Sequence, residues 1–481
     1  MDTSSVGGGD FNFNFNVSVI NEEVVAAVLP IQEHWLPLSN LDLLLPPVDV
    51  GVFFCYKNNH TMAMDSFATM VGCLKKSLSQ ALVSYYAFAG EVVANTAGEP
   101  ELLCNNRGVD FVEAVADIEL RCLNLYNPDD SIEGKLVPRK KRGVFGVQAT
   151  SLKCGGIVVA CTFDHRIADA YSANMFLVSW ANMAHQTRPN KPTTIHHQKP
   201  CFRRSLLSPR RPGIIHPSLH GMYIPISKLP PPPATIATPL LSRIYYVTAK
   251  QLQHMQSLAS NNGGAKRTKL ESFSAFLWKM VARAALRDIK GKKVVIAKMG
   301  IVVDGRKMLA DGSGSSVDEG RKSMMNSYFG NVLSIPFGAK LVEELVEKPL
   351  GWVANAVHEF LELAVTEEHF LGLIDWVEAH RPVLGLAKIY CNGSHDEGPA
   401  FVVSSGQRFP EEKVDFGWGK AVFGSYHFPW GGEAGYVMPM PSPLLNGDWV
   451  VYMHLVKEQL EIIESEASHF FKPLTWEYLN Q

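Results

Sequence analysis

Two short segments carry side chains that could do chemistry. The first is Asp164-His165-Arg166-Ile167-Ala168-Asp169. It follows the apolar run Gly156-Ile-Val-Val-Ala-Cys-Thr-Phe163 and precedes a helical pattern that begins at Asp169. A run of strand length without polar interruption predicts a central strand buried on both faces. A loop leaving such a strand end can present a side chain into a cleft. An imidazole there is largely neutral near pH 7, because its ordinary pKa is about 6.5, and can accept a proton. Asp169, four residues on, either orients that ring or fixes the loop.

The second segment is Asp415-Phe416-Gly417-Trp418-Gly419-Lys420. Two glycines flank a Trp, which predicts a tight turn that positions a large ring. Its Asp-Phe-Gly invites a protein-kinase reading, but no Gly-x-Gly-x-x-Gly loop or His-Arg-Asp-Leu catalytic loop accompanies it.

The two segments in this order, about 250 residues apart, resemble the BAHD family of plant acyl-CoA-dependent acyltransferases. The resemblance spans the chain. It includes Ser39-Asn-Leu-Asp-Leu43, Leu74-Lys-Lys-Ser-Leu78, Tyr86-Ala-Phe-Ala-Gly90, Ser272-Phe-Ser-Ala-Phe-Leu-Trp278, Val303-Asp-Gly-Arg306, Tyr328-Phe-Gly-Asn331 and Phe409-Pro410. Phe423-Gly-Ser-Tyr-His-Phe-Pro-Trp-Gly-Gly432 and Met438-Pro-Met-Pro-Ser-Pro443 look most like the coniferyl alcohol acyltransferase branch.

The resemblance implies an α/β fold of two similar chloramphenicol-acetyltransferase-like domains, joined by a long crossover loop, with the active-site channel between them. It implies His165 as general base and direct attack on the thioester, with acyl-CoA as co-substrate and no permanently bound cofactor. Ser404, matching the oxyanion-donor segment of the shikimate-type members, is the candidate oxyanion donor. Gly406 stands where those members carry Trp, which argues for a roomier or reshaped acceptor pocket. Asp169 is expected to turn from the base and pair with Arg306. Asp415, Gly417, Trp418 and Gly419 belong to the family motif and are expected to act mainly as structural support.

The elements that must position these residues alternate between strand and helix. Phe67, Met70, Val71, Leu74, Leu78 and Leu82 recur at helical spacing after the N-cap candidates Asp65 and Ser66. Strands are expected at 91–94, 101–104, 144–148 and 156–163, and helix from Asp169 to about Ala184. Phe11-Asn-Phe-Asn-Phe-Asn16 continues into Val17-Ser-Val-Ile20 as an edge strand. From about Arg188 to Pro239 the chain is rich in Pro, His and Arg, with Pro230-Pro-Pro-Pro233, and reads as a crossover without a sheet ladder.

Beyond it come strands at 242–247, 293–297, 300–303, 401–403 and 449–452, and helices at 271–286, 355–363 and 457–470. The domain boundaries that follow are 1–200, a crossover at 201–240, and 241–481. A strand from 371–400 is expected to pack on the first domain.

For the CoA phosphates the candidates are Lys266, Arg267 and Lys269, with Ser272 and Ser274 at the following helix start. Arg139-Lys-Lys-Arg142 and Lys290-Gly-Lys-Lys293 read as exposed loops. His185, His196, His197, His216 and His220 lack metal-site company, and no metal is expected.

Composition bounds the rest. The 481 residues carry 45 Lys+Arg and 47 Asp+Glu, a net charge of −2, and 46% of them are apolar. That is a globular composition with no field to hold nucleic acid or an anionic membrane. Eight cysteines without CxxC spacing read as reduced, mostly core thiols. With neither a leader nor a ~20-residue apolar span, a cytoplasmic monomer is expected. The partners expected are acyl-CoA and a small alcohol or amine, or, for a catalytically silent relative, a binding ligand alone.

Overall fold

In the computed structural model, residues 15–58, 66–186, 199–229, 239–260, 266–288, 294–311, 319–391 and 398–481 are described. The expected N-cap Asp65, the start of the Phe-Asn run, Lys290–Lys293, His196, His197 and Pro230–Pro233 lie outside them.

The first sheet has six strands, ordered Val17–Val25, Val109–Ala116, Phe145–Leu152, Ile157–Asp164, Asp49–Tyr56 and Phe423–His427. Every residue of Ile157–Asp164 is buried, as an apolar run flanked by strands and covered by helices requires. Helices Phe67–Ser84 and Ala170–Gln186 pack on each other. Ser66 caps the first by accepting from Thr69 N, and Trp180 Nε1 joins the two by donating to Leu74 O at 3.1 Å.

The second sheet runs Leu333–Ser334, Ile296–Asp304, Ala400–Ser404, Gly435–Pro441, Trp449–Val456, Leu240–Val247 and Lys472–Pro473, with Phe337–Leu341 also paired to Ile296–Asp304. Ala400–Ser404 is parallel to both its neighbours. Helices Ala249–Ser260, Lys269–Asp288, Leu350–Glu362 and Lys457–Glu466 gather on a second apolar core.

Several expectations change. The two strands expected at 293–297 and 300–303 are one, Ile296–Asp304. Gly300 does not break it. A Cβ there would lie 3.0 Å from Ile389 Cδ1 and 3.3 Å from Phe337 Cβ, so glycine permits close packing within the strand.

The strand that crosses from the C-terminal half into the first sheet is Phe423–His427, pairing with Asp49–Tyr56. Within 371–400, the strand Gly385–Ala387 packs against Asp42–Leu44 of the first domain and pairs with Tyr223–Pro225 of the crossover, which therefore does form a short ladder. Pro225 sits at the end of that ladder, where a missing N–H is tolerated. Helix Glu367–His380 was not foreseen; its Phe370, Leu373, Ile374 and Val377 join the first core. Of the eight cysteines, expected mostly in the core, only Cys55, Cys104 and Cys161 are buried.

The glycine-flanked Trp is a second bond between the halves. Asp415 Oδ1 accepts from Gly417 N at 2.7 Å and Gly419 N at 2.9 Å, closing the turn. Both glycines have positive φ, 103° and 114°, which explains the residue type. Trp418 is thereby driven into the first core, edge-on to Tyr56 at 5.9 Å, while Tyr56 donates to Val414 O at 2.8 Å. Trp418→Ala should cost about 3–5 kcal/mol of stability. Denaturant unfolding would measure that loss, and kcat of the folded fraction should stay unchanged.

Candidate active site

The cavity lies between the two sheets and encloses about 320 Å³. One wall comes from Leu44–Pro46, Val48 and Val50, a second from Asp169–Tyr171 and Asn174, and a third from Ser404–Arg408. Aromatic rings complete it: Tyr223, Tyr390, Tyr426, Phe428, Trp430 and Tyr436. Trp430 reaches the cavity because its Nε1 donates back to Ala434 O, and a Cβ at Gly432 would fall 1.8 Å from its ring.

His165 and Ser404 both face this space. The His165 backbone is held at each end: its N–H donates to Val48 O at 2.9 Å, and its carbonyl accepts from Asn331 Nδ2 at 2.9 Å. Asn331 is itself fixed by Asp42, which accepts from Asn331 N at 2.7 Å and Nδ2 at 2.9 Å. Asp42 also accepts from Ser39 N and Oγ. The segments 39–43 and 328–331 therefore meet to hold the loop that carries the imidazole.

The ring stands edge-on to Phe428 with 6.1 Å between centroids. Its Nδ1 is buried and without a hydrogen-bond partner of good geometry, so Nε2 is the open nitrogen. Burial pulls the pKa of His165 below the ordinary imidazole value; its own backbone, Asp169, Asp164 and Asn331 oppose this only in part. An imidazole in that setting is neutral at pH 7 and free to accept a proton.

Asp169 faces away from the ring. It caps helix Ala170–Gln186 by accepting from Ser172 N at 2.9 Å and takes a two-pronged contact from Arg306, at 2.7 and 3.0 Å. Both partners are almost fully buried. Arg306 also donates to Gly330 O at 2.9 Å, Tyr328 O at 3.2 Å and Asp304 at 3.1 Å, and lies 4.4 Å over the Tyr171 ring. Few donors of this guanidinium are left unused, which is what burying it demands.

Other expected site residues fall elsewhere. Asp415, a family-motif residue expected to act mainly as structural support, does not line the cavity, nor do Gly417, Trp418 and Gly419. Its carboxylate is occupied in its own turn.

Lys266, Arg267, Lys269, Ser272 and Ser274 also lie off the cavity wall. Thr268 and Glu271 form a capping box there: Thr268 N donates to Glu271 at 2.7 Å and Glu271 N to Thr268 Oγ1 at 3.2 Å. The helix start thus already holds a carboxylate, an unfavourable neighbour for phosphate. Ser272 is buried and donates to Thr268 O, Ser274 is buried in the second core, and Arg267 is engaged by Asn355.

Gly406 lines the cavity, but the space beside it is taken by side chains from across the sheet. A Cβ there would sit 2.6 Å from Met440 Cγ, 2.9 Å from Met438 Cγ and 3.0 Å from Pro439 O, so Met438 and Met440 fill that volume.

Tyr171 and Asn174 lie outside the motifs of the sequence, and Trp430 lies in one without a role assigned to it. Tyr171 and Asn174 share one helix face at a spacing of three, the only signal that placed them together.

Removing one member of the buried pair strands the other charge at a cost of about 3–5 kcal/mol. Asp169→Ala should therefore lower the melting temperature strongly, and Asp169→Ala/Arg306→Met should recover part of the loss. Thermal unfolding of the two variants checks this.

The sequence profile of the Transferase family matches residues 15–470. The chain is 29% identical over 455 residues to rosmarinate synthase of Plectranthus scutellarioides, covering 89% of this chain and 93% of that protein. It is 26% identical to shikimate O-hydroxycinnamoyltransferase of Nicotiana tabacum, covering 91% and 96%. Among solved structures it is similar in fold to F. graminearum TRI101 complexed with coenzyme A and deoxynivalenol, with a TM-score of 0.70, 15% identity and coverage of 91% and 99%. The chain thus belongs to the Transferase family, the BAHD acyltransferases its motifs resemble, and has their two-domain, chloramphenicol-acetyltransferase-like α/β fold.

Proposed function

We propose that the protein transfers an acyl group, of acetyl or hydroxycinnamoyl type, from CoA to the hydroxyl of a small phenylpropanoid-like alcohol. The observation that carries this reading is a neutral, desolvated His165 with its Nε2 open to an aromatic-walled cavity. Flat rings stack and pack edge-on against such walls. The relatives named for hydroxycinnamoyl transfer and the CoA complex of TRI101 support the donor class.

In the reaction, His165 Nε2 takes the proton of the acceptor hydroxyl as its oxygen attacks the thioester carbonyl. The Ser404 hydroxyl donates to the oxyanion that forms. Collapse expels the CoA thiolate, which recovers the proton from His165. A thiol's pKa of about 8.5 makes it a far better leaving group than an alcohol, so no covalent enzyme intermediate is required. Lys266 and Lys269 are left as cation candidates for the CoA phosphates, by an approach outside the cavity wall. One chain completes the cavity, which supports a monomer.

A matrix of acyl-CoA donors against alcohol and amine acceptors, read by thiol release, tests the reading. His165→Ala should lower kcat by about 10²–10⁴-fold with an unchanged melting temperature. If no pairing releases CoA above that variant, the reading fails; release with amines alone would change the acceptor class. Because burial disfavours the charged ring, the acid limb of kcat/KM should fall below the ordinary imidazole pKa of about 6.5. A pH–rate profile measures it.

A further inference from the structure

No carboxylate orients the His165 ring, because Asp169 is turned toward Arg306. Phe428 packs against the ring in a T-shaped contact. Phe428 follows the strand Phe423–His427 of the first sheet, and its backbone N–H donates to Tyr452 Oη of the second sheet at 3.1 Å. Tyr452 Oη lies 3.1 Å from Ser242 Oγ, and Ser242 Oγ lies 3.0 Å from His454 Nδ1. All of these side chains are buried.

The direction of each bond can be worked out. An amide N–H can only donate, so Tyr452 Oη accepts from Phe428. If His454 Nδ1 carried a proton and donated to Ser242, and Ser242 donated to Tyr452, the buried Tyr452 hydroxyl hydrogen would have no acceptor. The arrangement that satisfies every donor is Phe428 N–H to Tyr452, Tyr452 O–H to Ser242, and Ser242 O–H to a neutral His454. Burial keeps His454 neutral, pulling its pKa down to about 4. The charged and titratable groups facing His454 are Asp129, His427 and Glu133; those facing His165 are Asp164 and Asp169. Ser242 is pinned in turn by its N–H to Asp129 at 2.6 Å.

We propose that Tyr452, Ser242 and His454 form a relay of positioning residues that sets the Phe428 ring against His165 and so fixes the orientation and dryness of the base. The proposal rests on His165 acting as the base. The relay also ties the two sheets together beside the cavity: Phe428 directly follows a strand of the first, while Ser242, Tyr452 and His454 belong to the second. A similar chain stands on another wall, where Ile335 N–H donates to Tyr223, which meets Ser334 and then His369.

The test compares Tyr452→Phe, Ser242→Ala, His454→Leu and His454→Asn with the parent and with His165→Ala. Tyr452→Phe keeps the ring and removes two neutral hydrogen bonds, to Phe428 N–H and to Ser242, so kcat should fall about tenfold while KM for acyl-CoA holds. With Phe428 loosened, water reaches His165, and the acid limb of kcat/KM should move up toward the ordinary imidazole value. Ser242→Ala and His454→Leu should do the same. His454→Asn, which returns an acceptor near the Nδ1 position, should restore both kcat and the acid limb. A lowered melting temperature with kcat and acid limb unchanged in Tyr452→Phe and Ser242→Ala would overturn the relay. So would a His454→Asn no better than His454→Leu. Full activity in His165→Ala would instead overturn the base on which the relay is built.

Discussion

The contact on which the rest of this structure depends is the ion pair of Asp169 and Arg306, sealed between the two sheets. It sits at a junction. Asp169 starts the helix that covers the first sheet, and Arg306 follows the strand Ile296–Asp304 of the second. Arg306 spends its remaining donors on the 328–330 backbone, and Val332 N reaches Asp169 at 3.2 Å. One residue further, Asn331 holds the carbonyl of His165. A charge pair of this kind does not stabilise strongly in itself, because desolvation offsets most of its attraction. Its effect is on geometry: neither charge can be left alone, so the strand end, the helix start and the 328–332 turn must meet in one arrangement.

That arrangement divides labour within His-x-x-x-Asp. The same short loop gives one side chain to the cavity and one to the joint behind it. The base is left without a hydrogen-bonded carboxylate partner, and burial lowers its pKa against a partial opposing pull from Asp169 and Asp164. The two sheets are joined three more times around the cavity: by Phe423–His427 entering the first sheet, by the Trp418 turn plugging the first core, and by Tyr452 reaching Phe428. A reaction site built between two bodies needs such ties, because a misplacement near 1 Å can cost about a hundredfold in rate.

Much of this was legible in the residues. The buried strand before His165 declared itself by an unbroken apolar run, the helix at 67–84 by its spacing and cap, and the Trp turn by its glycines. The strand Phe423–His427 did not, because it is short and its sheet partner lies nearly 370 residues earlier. The capping box Thr268–Glu271 was written in the chain but went unread beside the basic residues around it, and those residues were given to a phosphate instead. At Gly406 a missing side chain suggested space, whereas the volume depended on Met438 and Met440 across the sheet. Long-range packing, not local pattern, decided each of these.

The central claim is that the reactive end of an acyl thioester arrives at the Nε2 of His165. Bromoacetyl-CoA, which carries an alkylating carbon where the acyl group would sit, tests this directly by peptide mass spectrometry. The account predicts an adduct on the peptide containing His165 that free CoA suppresses and His165→Ala abolishes, above a background on the exposed Cys122 and Cys154 that free CoA does not suppress. Labelling of another residue at an equal rate in parent and variant, with His165 untouched, would contradict it.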